Sequence, residues 1–218
     1  MNNIAILYDL DGTLIDSSGD IIDSLKCSYE SFGYKKKLEI PLSLLGPPVS
    51  EMIKHLTPRL DQKSCEIITA NFRKIYDNSS YPKTFLYEGV SESLSLSLNR
   101  GDSMFIVTNK MKLATKRILS ILKIKGFFKD IITPDYNAEK KMNKIEMVEY
   151  TIEQNALQKQ TTIMIGDSAS DINAANANCI KSIGFLSGFG NEKELSNANP
   201  TYMVKSFKEM DLILSKIF

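Results

Sequence analysis

The chain has 218 residues, of which 43% are apolar and 24% are charged, and these proportions exclude a disordered chain, a collagen-like chain and a small disulfide scaffold. Its 27 basic and 26 acidic residues give a formal charge of +1, so the bulk charge offers no argument for a nucleic-acid or membrane partner. At about 150 residues per domain, the length lies between one domain and two.

The first predicted element is a buried strand. Ile4-Ala5-Ile6-Leu7-Tyr8 is a continuous apolar run, which is typical of a strand covered on both faces. The run ends abruptly at Asp9-Leu10-Asp11-Gly12-Thr13. We therefore expect polar side chains to stand at the carboxyl end of this strand.

Residues 17–84 follow a different pattern. Apolar residues between Ile21 and Phe32 recur with helical spacing, and breaks follow at Gly33 and at Gly46-Pro47-Pro48. No strand-like run appears in this segment, so we interpret it as a small helical cap inserted into another domain. The basic run Lys35-Lys36-Lys37 within it is interpreted as a solvated loop.

From residue 85 onward, strands and helices alternate. Two apolar runs, Met104–Val107 and Ile163–Ile165, predict buried strands that end at Thr108-Asn109 and Gly166-Asp167. The remaining predicted elements are amphipathic helices and short strands, at 90–98, 113–122, 131–132, 144–155, 171–177 and 180–185. This alternation predicts an α/β fold with a doubly wound, Rossmann-like parallel sheet. We expect a discontinuous core domain of residues 1–16 and 85–218 and a helical cap domain of residues 17–84.

The polar residues at the strand ends are expected to converge. Ligands of an open parallel sheet bind beyond the carboxyl ends of its strands, which is where Asp9, Asp11, Thr108, Asn109 and Asp167 stand. Asp9 and Asp11 are two residues apart, so both side chains can point to the same side of an extended chain. Carboxylates this close repel each other unless a cation lies between them.

The small numbers of histidines and cysteines limit the kinds of metal site that the chain can form. His55 is the one histidine, which excludes a multi-histidine zinc centre, and three widely spaced cysteines without a CxxC pair are expected to be reduced. Carboxylate oxygens suit Mg²⁺, and Mg²⁺ commonly shares its ligand shell with phosphate oxygens. We therefore expect a Mg²⁺ site that works on a phosphorylated substrate.

Four motifs resemble those of the haloacid dehalogenase superfamily, and the resemblance extends over essentially the whole chain. Their order and spacing are similar to the phosphoglycolate-phosphatase-like branch, in which a helical cap covers the core. The motifs are Asp9-Leu10-Asp11-Gly12-Thr13-Leu14, Tyr87-Glu88-Gly89-Val90, Val107-Thr108-Asn109-Lys110 and Gly166-Asp167-Ser168-Ala169-Ser170-Asp171.

The resemblance implies a role for each matching residue. It implies that Asp9 is the nucleophile that takes the phosphoryl group, and that Asp11 protonates the leaving oxygen and then activates water. Thr108 and Asn109 are implied to bind the phosphate. Asp167 is implied to bind Mg²⁺ together with the Asp9 carboxylate and the Asp11 main-chain carbonyl.

The phosphate-binding lysine is where this sequence departs from the family pattern, because no Lys-Pro dipeptide precedes the strand at 163–165. The candidates are Lys140, Lys141 and Lys144. We favour Lys144, since it opens a predicted helix in a stretch that resembles a Lys-x-Glu-Val variant, and Lys141 is the second choice. The resemblance also implies that Asp171 orients either a metal-bound water or this lysine.

Several features of the sequence can be interpreted either as structural or as functional. Thr108 could merely cap the helix that follows it, and Gly46-Pro47-Pro48 could be a plain turn or a loop that approaches the substrate. His55 is interpreted as an ordinary surface or partly packed histidine. Ser187-Gly188-Phe189-Gly190 lacks the third glycine of a dinucleotide site, so we interpret it as a loop, which the resemblance puts near the rim of the active site.

Residues and resemblance together predict a Mg²⁺-dependent phosphatase that hydrolyses a small phosphomonoester, such as 2-phosphoglycolate, through an aspartyl-phosphate. The alternatives are a sugar phosphomutase, or a pyrophosphatase or nucleotidase of the same superfamily. A non-catalytic binding protein is the least favoured, because such a module has no use for a costly cluster of like charges.

The expected surroundings are those of a cytoplasmic enzyme. The first twenty residues contain four aspartates and lack the basic start of a signal peptide, and no apolar run reaches about 18 residues. We expect a small phosphorylated metabolite as partner, and neither a nucleic acid nor a membrane. The sequence is compatible with a monomer and does not set the oligomeric state.

Overall fold

A computed structural model of the chain describes residues 3–35, 38–137 and 141–217. Lys36, Lys37 and Lys140, which belong to the predicted basic loop and to the lysine candidates, lie outside these described residues. The strands in chain order are β1 (Ala5–Tyr8), β2 (Ile15–Asp16), β3 (Phe85–Leu86), β4 (Ser103–Val107), β5 (Asp130–Ile132), β6 (Thr162–Gly166), β7 (Lys181–Phe185) and β8 (Tyr202–Val204).

Within the described ranges, six of these strands form one parallel sheet in the order β5-β4-β1-β6-β7-β8. β1 lies at its centre, where Leu7 pairs with Phe105 of β4 on one side and with Met164 of β6 on the other. Successive residues of β1 enter different apolar layers: Ile6 packs in one core cluster and Leu7 in the other. The sheet is therefore covered on both faces, which explains why its central strands are continuous apolar runs.

Helices cover the sheet and also form a separate layer. In chain order they are α1 (Ser18–Ser31), α2 (Val49–Leu56), α3 (Gln62–Asp77), α4 (Val90–Arg100), α5 (Lys112–Ile121), α6 (Lys144–Gln154), α7 (Ala169–Ala177), α8 (Glu192–Asn197) and α9 (Phe207–Ile217). The first three are consecutive and pack on one another through α3. Each later helix follows a strand, as the crossovers of a parallel sheet require.

The predicted α/β class with a doubly wound, Rossmann-like sheet is confirmed. Every strand and helix predicted after residue 85 is present, with ends that differ by one or two residues. Residues 17–84 contain α1 to α3 and no strand of the main sheet among the described residues. The division into a core of 1–16 and 85–218 and a cap of 17–84 stays a prediction.

A two-stranded ribbon joins the helical layer to the sheet. β2 and β3 pair antiparallel, with Ile15 opposite Leu86 and Asp16 opposite Phe85. The Tyr87 N–H extends this contact by donating to the Leu14 carbonyl at 3.1 Å. The chain thus leaves for α1 and returns from α3 at the same place. None of the described helices has both the length and the apolar character that crossing a membrane requires.

Candidate active site

The site begins where the central strands end. The Asp9 N–H donates to the Ile165 carbonyl at 2.8 Å, so Asp9 continues the pairing of β1 with β6 before the chain turns away. Asp9 is only 7% exposed and Asp167, just beyond β6, only 3%. The parallel register therefore brings two carboxylates from distant parts of the sequence to one edge of the sheet, as predicted.

Lys144 lies between two of the carboxylates. Its Nζ is 2.7 Å from Asp9 Oδ1 and 2.8 Å from Asp171 Oδ1, and it donates to the Val107 carbonyl at 2.9 Å. The side chain is buried, and Asn143 fixes the start of α6 through a capping box with Glu146.

Of the other lysine candidates, Lys141 is exposed and Lys140 lies outside the described residues. Lys141 and Lys144 both line one cavity, which is described below. The residue favoured from the sequence, Lys144, is thus the one with a described contact to Asp9.

Asp167 is held by three donors. The Thr13 hydroxyl donates to its Oδ1 at 3.1 Å, and the N–H groups of Phe189 and Gly190 donate to its Oδ2 at 2.7 and 3.1 Å. The loop interpreted as lying near the rim therefore contacts a core carboxylate directly. Sequence reasoning missed these donors because backbone N–H groups carry no residue signature.

Gly12 makes room for this carboxylate. Its φ is +81°, a conformation that favours glycine, and a Cβ atom at this position would overlap the Asp167 side chain. The glycine of the first motif is therefore needed for both the turn and the approach of Asp167.

Three carboxylates share a small buried space. Oxygen atoms of Asp9, Asp167 and Asp171 all lie within 4.8 Å of one another. Burial raises the pKa of Asp9 to about 8, against the opposing effect of Lys144, and raises the pKa of Asp167 to about 7, with further repulsion from Asp171. Removing these groups from water is thus unfavourable for their charged forms unless a cation joins them.

These residues fit Mg²⁺. The cluster offers only oxygen ligands, which magnesium prefers. One ammonium, that of Lys144, pairs with Asp9 and Asp171, and no cation of the described chain lies within ion-pair distance of Asp167. A hard divalent cation beside Asp9 and Asp167 would supply the missing positive charge.

The Asp11 side chain points to a different set of partners. Its Oδ1 accepts a hydrogen bond from the Ser17 hydroxyl at 2.5 Å and lies 3.1 Å from the Lys110 ammonium. Lys110 also donates to the Tyr76 hydroxyl at 2.7 Å. The sequence analysis assigned neither the two partners of Asp11 nor the tyrosine that Lys110 contacts. Lys110 directly follows Thr108-Asn109 in the sequence and could have been considered. Tyr76, in contrast, has the spacing of an ordinary core residue of a helix.

Thr108 and Asn109 occupy the end of β4. Thr108 is 1% exposed, and its hydroxyl accepts from the Lys110 N–H at 3.2 Å. It is not the residue that caps α5, because that helix begins at Lys112 after Met111. The Asn109 amide donates to the Gly46 carbonyl at 3.3 Å, so the Gly46-Pro47-Pro48 loop contacts a predicted phosphate-binding residue.

A cavity of about 640 Å³ lies between the strand ends and the helical layer. Asp11, Lys110 and Lys144 line it from the sheet side, and Arg73 and Tyr76 of α3 from the other. His55 is exposed on α2 and is absent from the lining, in agreement with its interpretation as a surface histidine. The cavity is of the size that small-molecule sites have.

Comparison with known proteins matches this arrangement. Residues 6–185 match the model of the haloacid dehalogenase-like hydrolase family. The chain belongs to that family. The predicted family, and the predicted class of enzyme, a hydrolase related to phosphatases, are thereby confirmed.

Relatives of known name cover almost the full chain. The chain is 28% identical over 214 residues to phosphoglycolate phosphatase of Photobacterium profundum, a match covering 94% of this chain and 93% of that protein. It is also 28% identical over 211 residues to pyrophosphatase PpaX of Halalkalibacterium halodurans, with 94% of each covered. The structure of a predicted phosphatase from Clostridium acetobutylicum superposes with a TM-score of 0.87 at 27% identity, covering 99% of this chain and 100% of that one.

Proposed function

We propose that the protein is a Mg²⁺-dependent phosphatase that hydrolyses a small phosphomonoester through a phosphorylated Asp9. The observation that carries this proposal is the position of Lys144, which lines the cavity and whose ammonium lies 2.7 Å from the Asp9 carboxylate. A carboxylate held by a buried ammonium, at the end of a central strand, suits nucleophilic attack on a phosphorus atom whose oxygens the same ammonium binds.

The proposed reaction has two steps. In the first, Asp9 Oδ attacks phosphorus, the ester P–O bond breaks, and Asp11 gives a proton to the departing alcohol oxygen. In the second, Asp11 takes a proton from water as the water attacks the same phosphorus, which releases inorganic phosphate and restores the Asp9 carboxylate. The covalent intermediate divides one difficult displacement into two easier ones.

The proposed metal ligands are the Asp9 and Asp167 carboxylates and the Asp11 main-chain carbonyl. Held by these groups, Mg²⁺ would supply positive charge next to the phosphoryl oxygens. Asp171 takes the role of orienting the lysine, since its Oδ1 is 2.8 Å from Lys144 Nζ. Its other oxygen accepts from the Ser168 hydroxyl at 2.6 Å and from the Ser168 N–H at 3.1 Å, so Asp171 is itself held firmly.

Phosphate binding is assigned to the Thr108 hydroxyl, to Asn109 and to Lys144. Asn109 and Lys144 line the cavity, Thr108 precedes Asn109 at the end of β4, and Lys144 keeps its charge there. Although burial opposes that charge, the Asp171 and Asp9 carboxylates raise the pKa of Lys144 above its usual value. A fixed cation and fixed donors stabilise the charge that spreads over the phosphoryl oxygens in the transition state.

The proposed substrate is a small phosphorylated metabolite of the phosphoglycolate type. This assignment is supported by relatives named phosphoglycolate phosphatase and by a cavity of about 640 Å³. The relative named pyrophosphatase makes inorganic pyrophosphate a second candidate. We further propose that residues 17–84 act as a cap domain over this cavity and exclude water from it, and that the enzyme works in the cytoplasm.

The test is phosphate release from 2-phosphoglycolate, pyrophosphate, a sugar phosphate and a nucleoside monophosphate, with and without Mg²⁺. We expect release that needs Mg²⁺ and that Asp9→Asn abolishes, while the control Asp23→Asn on the exposed face of α1 keeps it. Absence of release from every compound, or full activity of Asp9→Asn, would overturn the proposal. Turnover of a sugar phosphate without phosphate release, dependent on a bisphosphate, would instead indicate a phosphomutase.

A further inference from the structure

The backbone of Lys110 is held in place by two hydrogen bonds. Its N–H donates to the Thr108 hydroxyl at 3.2 Å, and its carbonyl accepts from the Thr115 hydroxyl at 3.4 Å. The side chain is 6% exposed, and its Nζ lies 3.1 Å from Asp11 Oδ1. A buried ammonium with a fixed backbone is able to hold a carboxylate in one orientation.

The other partner of this ammonium comes from the helical layer. Tyr76 lies in the last turn of α3, is 3% exposed, and accepts a hydrogen bond from Lys110 Nζ at 2.7 Å. The same ammonium lies 4.4 Å from the centre of the Tyr76 ring, within the range of a cation–π contact. Two contacts from one residue of α3 therefore fix where the ammonium sits relative to Asp11.

Apart from Lys110, no described side chain on the sheet side is bonded to the Asp11 carboxylate. Its remaining described side-chain partner is the Ser17 hydroxyl, which belongs to the connection into α1 and not to the parallel sheet. Both described groups that orient the Asp11 carboxylate thus depend, directly or through Tyr76, on segments that leave the sheet. The orientation of Asp11 is linked to the packing of α3.

We infer that Lys110 is a positioning residue that aims the Asp11 carboxyl group at the leaving oxygen, and that Tyr76 acts through Lys110 from the helical layer. This inference rests on the proposed function, because it assumes that Asp11 protonates the leaving group. It assigns Tyr76 a part in turnover although Tyr76 need not touch the phosphate.

The test compares two esters that differ in their need for a proton. A nitrophenolate departs readily without one, whereas an alkoxide requires it, and kcat/KM includes all steps up to departure of the leaving group. The experiment measures kcat/KM for p-nitrophenyl phosphate and for 2-phosphoglycolate, in Mg²⁺, and forms the ratio of the two for each variant. General loss of folding or of phosphate binding lowers both values and leaves their ratio unchanged.

For Tyr76→Phe, which keeps the ring and removes the hydroxyl, we expect a loss about 3- to 10-fold larger on the alkyl ester than on the nitrophenyl ester. For Lys110→Met we expect this difference to be about 10-fold or more. The control Tyr29→Phe removes another buried hydroxyl of the helical layer, one that meets Thr57 at 2.9 Å, and should leave the ratio unchanged. In the Lys110→Met background, Tyr76→Phe should have no further effect on the ratio.

The possible results distinguish failure of this inference from failure of the proposed function. A ratio within twofold of wild type in Tyr76→Phe and in Lys110→Met, with both esters still hydrolysed by wild type, overturns the inference and leaves the proposed function standing. An independent effect of Tyr76→Phe in the double variant overturns the claim that Tyr76 acts through Lys110. A wild-type protein that hydrolyses neither ester overturns the proposed function and this inference with it. Tyr76→Phe is conservative enough to carry the test if Lys110→Met fails to fold.

Discussion

Lys144 and Asp9 are 135 residues apart in the chain, yet their side chains meet at 2.7 Å. The contact joins the first turn of α6 to the end of β1, and the Val107 carbonyl of β4 accepts from the same ammonium. Three separate elements are thus fixed to one cation at the centre of the proposed active site.

Replacing this cation should be costly in two ways. Lys144→Met leaves Asp9 and Asp171 buried without their ammonium, so we expect the free energy of unfolding without Mg²⁺ to fall by about 3–5 kcal/mol. We also expect kcat/KM to fall by about 100-fold or more, because a donor to the phosphoryl oxygens is lost. Urea unfolding and steady-state kinetics measure the two effects. Lys141→Met is the matched control, since this exposed lysine has no described contact with Asp9; equal losses in both variants would contradict the assignment of Lys144.

Asp167→Asn tests the proposed metal site. Asparagine keeps the size of the side chain and removes one of the two proposed carboxylate ligands, so Mg²⁺ binding measured by isothermal titration should weaken by at least about tenfold. Wild type should also gain thermal stability as Mg²⁺ is added, because a ligand that binds only the folded chain stabilises it, by about 2.7 kcal/mol at 100 times Kd. Asp23→Asn, which alters an exposed carboxylate, should bind Mg²⁺ like wild type. An unchanged Mg²⁺ affinity in Asp167→Asn would contradict the assignment of Asp167 as a metal ligand.

Gly12 and Gly33 form a matched pair for a substitution by alanine. Both have a positive φ, +81° and +91°, but a Cβ at Gly12 would meet the Asp167 carboxylate, whereas one at Gly33 would meet open space. We expect Gly33→Ala to lower the free energy of unfolding by about 1–2 kcal/mol, the cost of the backbone conformation alone. Gly12→Ala should cost more and should also weaken Mg²⁺ binding. Equal costs, with Mg²⁺ binding intact in both, would show that Asp167 has room to move.

The capping box of α6 is expected to matter for catalysis as well as for stability. Asn143→Ala removes the side-chain oxygen that accepts from the Glu146 N–H at 3.0 Å, and should cost about 1 kcal/mol of unfolding free energy. Because Lys144 is the next residue, a frayed first turn should also lower kcat/KM severalfold. Asp61→Ala removes the equivalent cap of α3 and should cost a similar free energy with little effect on kcat/KM. Equal kinetic losses in the two variants would speak against a role of this cap in aiming Lys144.

The site residues that could be predicted are those whose position follows from the residues next to them in the sequence. Asp9, Thr108 and Asp167 follow strands that are buried on both faces, and continuous apolar runs mark such strands clearly. The parallel order of those strands then brings their ends together, whatever the rest of the chain does.

Contacts between distant segments could not be predicted in this way. The bond from Lys110 to Tyr76 joins residues 34 positions apart on separate elements, and its existence depends on how α3 packs against the sheet. The N–H groups of Phe189 and Gly190 reach Asp167 through the path of a loop, which a sequence pattern does not specify. The sequence thus predicts the proposed reacting groups better than it predicts the groups that orient them.

The ribbon of β2 and β3 has a consequence for how such a chain changes over evolutionary time. Since the outgoing and returning strands are hydrogen-bonded neighbours, insertions or deletions among residues 17–84 leave the spacing of the sheet untouched. Selection can therefore remodel the cavity wall that α3 contributes while the proposed reacting carboxylates stay in register. Divergence in substrate preference should accordingly concentrate in this stretch, and it can proceed there without first loosening the chemistry.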